Sequence, residues 1–148
     1  FQRDSSVDKL INLERKLNLD KAETFLKFDE KIRLVSEKLE KLVYNLKDQG
    51  KTIAGFGAPT KATTLMAHFN LNEKVLDFIV DDNPLKQGLY TPISHIPVFS
   101  AEALYTLRPD YVLVLAWNFA EPIIKVHQKY SQGIGKFILP MPVPQIVE

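Results

Sequence analysis

A glycine-rich segment at residues 55–62 has the residue types that bind a phosphate group. It reads Gly-Phe-Gly-Ala-Pro-Thr-Lys-Ala and lies between a short apolar run and a helical pattern. Glycines let the backbone approach an anion closely, and the free N–H groups at a helix start donate hydrogen bonds to it. Phosphate or diphosphate binding is expected here, and a tight strand-to-helix turn without a ligand is the alternative. The candidate residues are Gly55, Gly57, Ala58, Pro59, Thr60 and Lys61.

A second polar segment, Asp-Asp-Asn-Pro-Leu-Lys at residues 81–86, follows a predicted strand. Asp81 lies 24 positions after Gly57 (81 − 57), close to the usual offset of about 20 residues for an acid that binds ribose. Its carboxylates would bind ribose hydroxyls and Lys86 a phosphate, so Asp81, Asn83 and Lys86 join the candidate site. The alternative is a solvated acidic turn, bent at Asn83-Pro84. The full dinucleotide fingerprint is not met, because Thr60 replaces the third small residue.

Trp117 and Asn118 form a third candidate, at the end of an apolar run. Trp117 would stack on a base or a sugar, and the Asn118 amide both donates and accepts hydrogen bonds. A tryptophan that closes the top of the core is an equally good interpretation, and the sequence leaves both open.

The three histidines, His68, His95 and His127, do not have the spacing of a metal site. His95 is the one expected near the candidate cleft, where an acid–base role would be chemically feasible. His127 is expected on the surface of a helix. The spacing supports no Ser/His/Asp arrangement, so no catalytic residue is assigned.

Composition and charge exclude several classes of protein. Lys and Arg total 19 against 18 Asp and Glu, and this net charge of +1 does not support a nucleic-acid binder. Cysteine is absent, which excludes disulfides, thiolate zinc sites and cysteine nucleophiles within these residues. The longest apolar run is too short to span a membrane. No signal-peptide pattern is seen, so the cytoplasm is expected. Because the chain begins with Phe1, we expect it to be a piece of a longer polypeptide.

The first 50 residues have helical periodicity. A short helix is predicted from Ser5 to about Leu17, and a long amphipathic helix follows and ends at Gly50. Its apolar positions are spaced three and four residues apart: Phe25, Phe28, Ile32, Val35, Leu39, Leu42 and Leu46. We favour a stripe that covers the core of the domain that follows it, and docking to another domain or to a second copy in a homodimer is the alternative. Residues 1–50 are thus predicted to be a helical linker or docking segment.

Strands and helices alternate in residues 51–148, the second predicted domain. Strands are predicted at 52–56, 75–80, 96–99, 111–116 and 136–139, with helices at 61–69, 100–107 and 121–130. This alternation predicts an α/β fold: a Rossmann-like three-layer domain with a mostly parallel sheet of about five strands. Pro97 places its strand at an edge. In such a sheet the three polar segments and residues 140–142 meet at the carboxyl ends of the strands, where ligands bind.

Four blocks in order resemble the C-terminal domain of S-adenosylmethionine-dependent sugar C-methyltransferases. They lie at residues 55–62, 80–98, 108–118 and 135–142 and span about two thirds of the chain. The leading helices resemble the linker of that family. Two positions depart from its pattern: Asp82 stands where arginine is often found, and Ala62 where glycine is common.

The resemblance implies methyl transfer from S-adenosylmethionine to a carbon of a nucleotide-linked deoxysugar. It further implies an N-terminal zinc-binding region and a central methyltransferase domain, both outside this chain, and a C-terminal domain that helps to hold the nucleotide-sugar. No cofactor is then expected in this chain, S-adenosylmethionine being used by the full protein, and this chain alone should not be catalytically competent. The alternatives are a dinucleotide- or coenzyme A-binding domain of another enzyme, and a helix-mediated assembly module without a ligand.

Overall fold

The computed structural model describes residues 5–147, which fall into two compact units divided between Leu34 and Val35. The first unit contains α1 (Ser5–Lys16) and the beginning of α2 (Ala22–Asp48), and none of the α1 residues is buried. Both predicted helices are confirmed. α2 ends because Gly50 adopts a φ of 72°, which lets the N–H of Lys51 bond to the carbonyl of Leu46. The expected domain boundary at residue 50 stays a prediction.

The second unit is built on a six-stranded sheet. Its strands are β1 (Ile53–Phe56), β2 (Phe78–Val80), β3 (Val98–Phe99), β4 (Tyr111–Val114), β5 (Lys136–Leu139) and β6 (Gln145–Val147). The order is β3-β2-β1-β4-β5-β6, and every pair is parallel except β5 with β6. This confirms the Rossmann-like prediction, including the edge position of β3. The chain order reverses between β1 and β4, so a ligand cleft is expected above these two strands.

Helices cover both faces of the sheet. They are α3 (Thr60–His68), α4 (Ala103–Thr106), α5 (Ala120–Val126) and α6 (Gln128–Ser131), with a 3₁₀ turn at Trp117–Phe119. Two of the predicted helices differ in extent. The one predicted at 100–107 is a single turn, and the one at 121–130 is divided at His127, whose φ of −102° and ψ of 26° are not helical.

Two apolar cores lie on opposite faces of the sheet. One joins β1 and β2 to α3 and to the second half of α2, through Leu39, Val43 and Leu46. The other joins the sheet to α4, α5 and α6. The second half of the α2 stripe therefore covers the core of the α/β domain that follows it, as predicted, whereas Phe25 and Phe28 are exposed. None of the helices within residues 5–147 combines the length and apolar character needed to cross a bilayer.

Candidate functional site

The turn after β1 requires a glycine at position 57. Gly57 has a φ of 90°, and its N–H donates to the carbonyl of Val80 at 2.7 Å. A Cβ atom added here would lie 2.7 Å from the Cβ of Ala116, just past β4. Such a contact is too short for any side chain. Gly57 therefore lets the β1 turn and the end of β4 approach each other at the point where the strand order reverses.

Asp81 fastens this turn to the end of β2. Its Oδ2 accepts hydrogen bonds from the N–H of Ala58 at 2.7 Å and from Lys86 Nζ at 2.9 Å. Its Oδ1 accepts one from the N–H of Asn83 at 2.9 Å. Burial alone would raise the pKa of Asp81, but these three donors outweigh it and hold the pKa below its ordinary value. The buried carboxylate is thus ionised and already surrounded by donors from the protein.

Lys61 reaches from the first turn of α3 to the segment after β4. Its Nζ donates to Asn118 Oδ1 and lies 5.9 Å from the ring centroid of Trp117 and 5.5 Å from that of Phe119. An ammonium at these distances is attracted to aromatic rings. The side chains of Trp117, Asn118 and Phe119 are all exposed. Lys61 therefore brings two of the predicted segments together above β1 and β4.

Two cavities of similar size open beside the β1 turn. The first, about 240 Å³, is lined by Gly57, Pro59, Lys61, Asp81 and Lys86, which the sequence analysis selected. Asp82 and Phe119 also line it and were not selected. The second, about 280 Å³, is lined by Ala58, Pro59, Thr60 and Lys86 together with Tyr90. The structure therefore assembles most of the predicted residues around one turn.

Three of the predicted site residues, Gly55, Asn83 and His95, do not line the two cavities at the β1 turn. Gly55 lies inside the sheet, where a Cβ would be 2.9 Å from side-chain atoms of Ile79 and Leu115, so its visible role is close packing. Asn83 shapes its own loop, since its Oδ1 accepts the N–H of Leu85. His95 is exposed in the turn that precedes β3, at the amino end of that strand.

The prediction that His127 is a surface residue is wrong. Its side chain is buried, its ring centroid lies 5.0 Å from that of Phe56, and its Nδ1 is 3.0 Å from Tyr105 Oη. Burial lowers the pKa of His127, opposed by the negative charge of Asp82. The sequence held a signal for this placement: Ile123 and Tyr130, four residues before and three after, lie on the same inward face.

Of the unselected residues that line the first cavity, Phe119 had a simple signal, because it is an aromatic side chain directly after Trp117-Asn118. Within the described part of the chain, no group of three or more His, Asp or Glu side chains is placed to hold a metal ion. The arrangement that remains is an exposed lysine beside aromatic rings, a glycine turn and small cavities. It is suited to binding a ligand that carries both an anionic group and a flat ring.

Comparison with known proteins gives two matches. The family described as "C-methyltransferase C-terminal domain" matches residues 1–142. The C-methyltransferase NovU of Streptomyces niveus is 35% identical over 142 residues, which are 96% of this chain and 34% of that protein. This chain therefore spans about a third of the length of that relative.

Proposed function

This chain belongs to the C-methyltransferase C-terminal domain family, and from that premise we propose that it holds a nucleotide-linked deoxysugar at the carboxyl ends of its strands. The complete enzyme would methylate a carbon of that sugar with S-adenosylmethionine. In this proposal, the site for the methyl donor and the zinc-binding region lie in parts of the polypeptide outside this chain. None of the residues described above is assigned to the donor.

The observation that carries the proposal is the environment of Lys61. Its hydrogen-bond partner, the Asn118 amide, is neutral, so its positive charge is left for a ligand. Lys86, in contrast, forms an ion pair with Asp81 at 2.9 Å. Charge-assisted hydrogen bonds from an ammonium to a phosphate are about twice as strong as neutral ones. A diphosphate above β1 and β4 would thus bind chiefly to Lys61 and to the N–H groups at the start of α3.

The contribution of this domain to the reaction would be positioning. Methyl transfer forms a new carbon–carbon bond at a sugar carbon, which becomes nucleophilic when it loses a proton next to a keto group. Holding the two reactants in the correct geometry can lower the barrier by roughly 7–11 kcal/mol in favourable cases. The base that removes the proton is not assigned to any residue of this chain.

The geometry weighs against the dinucleotide alternative. In that fingerprint an acid at the position of Asp81 binds the ribose hydroxyls. Here that carboxylate is buried and bonded to Ala58, Asn83 and Lys86. The glycine turn also lacks the third small residue, where Thr60 stands.

Ligand titration of three lysine variants tests the proposal. We expect a nucleoside diphosphate and a nucleotide-sugar to bind the chain and raise its melting temperature by mass action. Lys61→Ala should weaken this binding about tenfold or more, since one charge-assisted bond contributes about 1.5–3 kcal/mol. Lys86→Ala should weaken it less. Lys74→Ala, which removes the same charge in the exposed turn before β2, is the matched control and should bind as wild type does.

Two results would contradict the proposal. One is no binding of either ligand at millimolar concentration. The other is equal affinity in wild type and Lys61→Ala, which would remove this lysine and its turn from the site.

A further inference from the structure

A second region beside the sheet holds a cavity of about 870 Å³, larger than the two cavities at the β1 turn. Trp117 and Asn118, after β4, line one side of it, and Leu139 of β5 and Val147 of β6 line another. The remaining wall comes from α5 and α6. Its volume lies within the range of roughly 300–1,000 Å³ typical of small-molecule sites. The sequence analysis selected Trp117 and Asn118 but not the rest of this cavity, because β6 and the division of the 121–130 helix at His127 were not predicted.

The walls of this cavity are apolar at the base and polar at the rim. Ile124, Leu139 and Val147 are half-buried and pack against the core below. The amide side chains of Asn118, Gln128 and Gln132 line it as well, and two of them are exposed residues of α6 and the turn after it. Amides both donate and accept hydrogen bonds, so they match the edge of a ring that does the same. One Glu and one Lys also line the cavity, which leaves it without a net charge.

The cavity and the Lys61 site share a wall. Trp117 and Asn118 line the large cavity, while Lys61 Nζ bonds to Asn118 and lies 5.9 Å from the centre of the Trp117 ring. A single ligand can therefore place an anionic group at Lys61 and a flat ring in the cavity. An indole at the cavity wall offers a large stacking surface to such a ring.

We propose that this cavity holds the nucleobase of the nucleotide-sugar, with its ring against Trp117 and its polar edge toward Gln128. This assignment rests on the function proposed above and specifies how the nucleotide-sugar would be oriented on the domain. The base would lie over β4, β5 and β6, and the diphosphate at Lys61. The sugar would then extend toward the smaller cavity lined by Gly57, Asp82 and Phe119.

The single tryptophan of the chain makes the proposal directly measurable, since all indole fluorescence comes from Trp117. We expect uridine or thymidine diphosphate to change that fluorescence and to bind at least tenfold more tightly than inorganic diphosphate. Inorganic diphosphate should leave the fluorescence nearly unchanged.

Two variants of the cavity and one control complete the experiment. Gln128→Trp fills the rim from an exposed position, so the fold should be kept, and Trp117→Leu removes the stacking surface. Binding to the variants is followed by the shift in melting temperature, because they differ in tryptophan content. Both should lose the tenfold preference for the nucleoside diphosphate, and in Gln128→Trp binding of inorganic diphosphate should stay within twofold of wild type. Val126→Trp adds the same side chain on α5 at a residue that is 75% exposed and outside the cavity, and it should keep the preference.

The outcomes separate this proposal from the one on which it rests. Binding of the nucleoside diphosphate that is unaffected by Gln128→Trp and Trp117→Leu would overturn the base site and leave the function at Lys61 in place. Equal affinity of wild type for inorganic and nucleoside diphosphate would do the same. If wild type binds neither a nucleoside diphosphate nor a nucleotide-sugar, the function proposed above fails and the base site fails with it.

Discussion

The carboxylate of Asp81 accepts a hydrogen bond from the backbone N–H of Ala58 at 2.7 Å, so that the end of β2 is tied to the glycine turn after β1. From the sequence, this N–H was predicted to bind a ligand phosphate and this carboxylate to bind a ribose. The structure joins them to each other, and Lys86 joins them as a third partner. The donors left for an external anion are therefore Lys61 and the first N–H groups of α3.

Asp81→Asn should destabilise the fold. The change removes the negative charge that Ala58, Asn83 and Lys86 all contact. A hydrogen bond to a charged group contributes about 1.5–3 kcal/mol to the free energy of unfolding. Asp82→Asn, at the exposed neighbour, is the control and should change that energy by less than about 0.5 kcal/mol. Urea denaturation measures both, and equal values for the two variants would contradict the role given to Asp81.

The effect of Asp81→Asn on stability should depend on pH in the acid range. The pKa of Asp81 is lower in the folded state than its ordinary value of 3.8. The stability that this carboxylate contributes is therefore present above that value and is lost as pH falls below it. The difference between wild type and Asp81→Asn should shrink accordingly when unfolding is measured from pH 6 down to pH 3.

Gly57→Ala should cost more stability than Gly88→Ala. Both glycines have positive φ, 90° and 79°, so alanine is strained by about 1–2 kcal/mol at either position. A Cβ at position 57 also meets Ala116 Cβ at 2.7 Å, whereas at position 88 no atom lies within 4 Å. Overpacking of this kind adds about 1–3 kcal/mol. Thermal unfolding of the two variants isolates the contact, and identical losses would show that the β1 turn does not pack on β4 as described.

His127 should make the fold sensitive to mild acid. Burial lowers the pKa of its imidazole below the ordinary 6.5, so the unfolded chain binds a proton at a pH where the folded chain does not. Stability should then fall as pH decreases through 6.5, by up to about 1.4 kcal/mol per pH unit. His127→Gln should flatten this slope between pH 7.5 and 5.5, and His95→Gln, at an exposed position, should leave it intact. If the dependence of stability on pH were unchanged in His127→Gln, a group other than His127 would cause it.

The chain should self-associate through its first unit at high concentration. Leu10, Leu13, Phe25 and Phe28 are each at least half exposed, and apolar patches of this kind favour association. Sedimentation equilibrium should show a dimer or weaker association, which the double change of Phe25 and Phe28 to Glu should reduce. Leu85→Glu, at a residue of the second unit that is 82% exposed, is the control. A strictly monomeric profile of wild type at high concentration would contradict this expectation and the homodimer.

We expect the purified 148-residue chain to transfer no methyl group to any nucleotide-sugar. The reason is that the chain spans about a third of its methyltransferase relative and the proposed donor domain lies outside it. Incubation with labelled S-adenosylmethionine and a nucleotide-sugar measures this. Turnover by the chain alone would mean that the donor site lies within these residues.

Local patterns in the sequence determined the architecture of this protein. The alternation of apolar strands and amphipathic helices gave the Rossmann-like fold, Pro97 placed β3 at an edge, and Gly50 marked the end of α2. These features follow from backbone preference and from burial along one face of an element, which neighbouring residues alone decide. The exposed Lys61 at the start of α3 was likewise visible, because the first turn of a helix is recognisable from sequence.

The direction and partners of polar side chains were decided only by the tertiary structure. Asp81 accepts a hydrogen bond from Ala58, 23 positions earlier, and His127 packs against Phe56, which is also far away in sequence. β6 was missed because its three residues, two of them exposed, form no apolar run, and it pairs with β5 only when the chain turns back. The large cavity exists because that strand and the divided helices α5 and α6 meet the end of β4. Contacts between residues that are distant in sequence depend on how the helical layers pack on the sheet. The periodicity of a single segment carries no information about that packing.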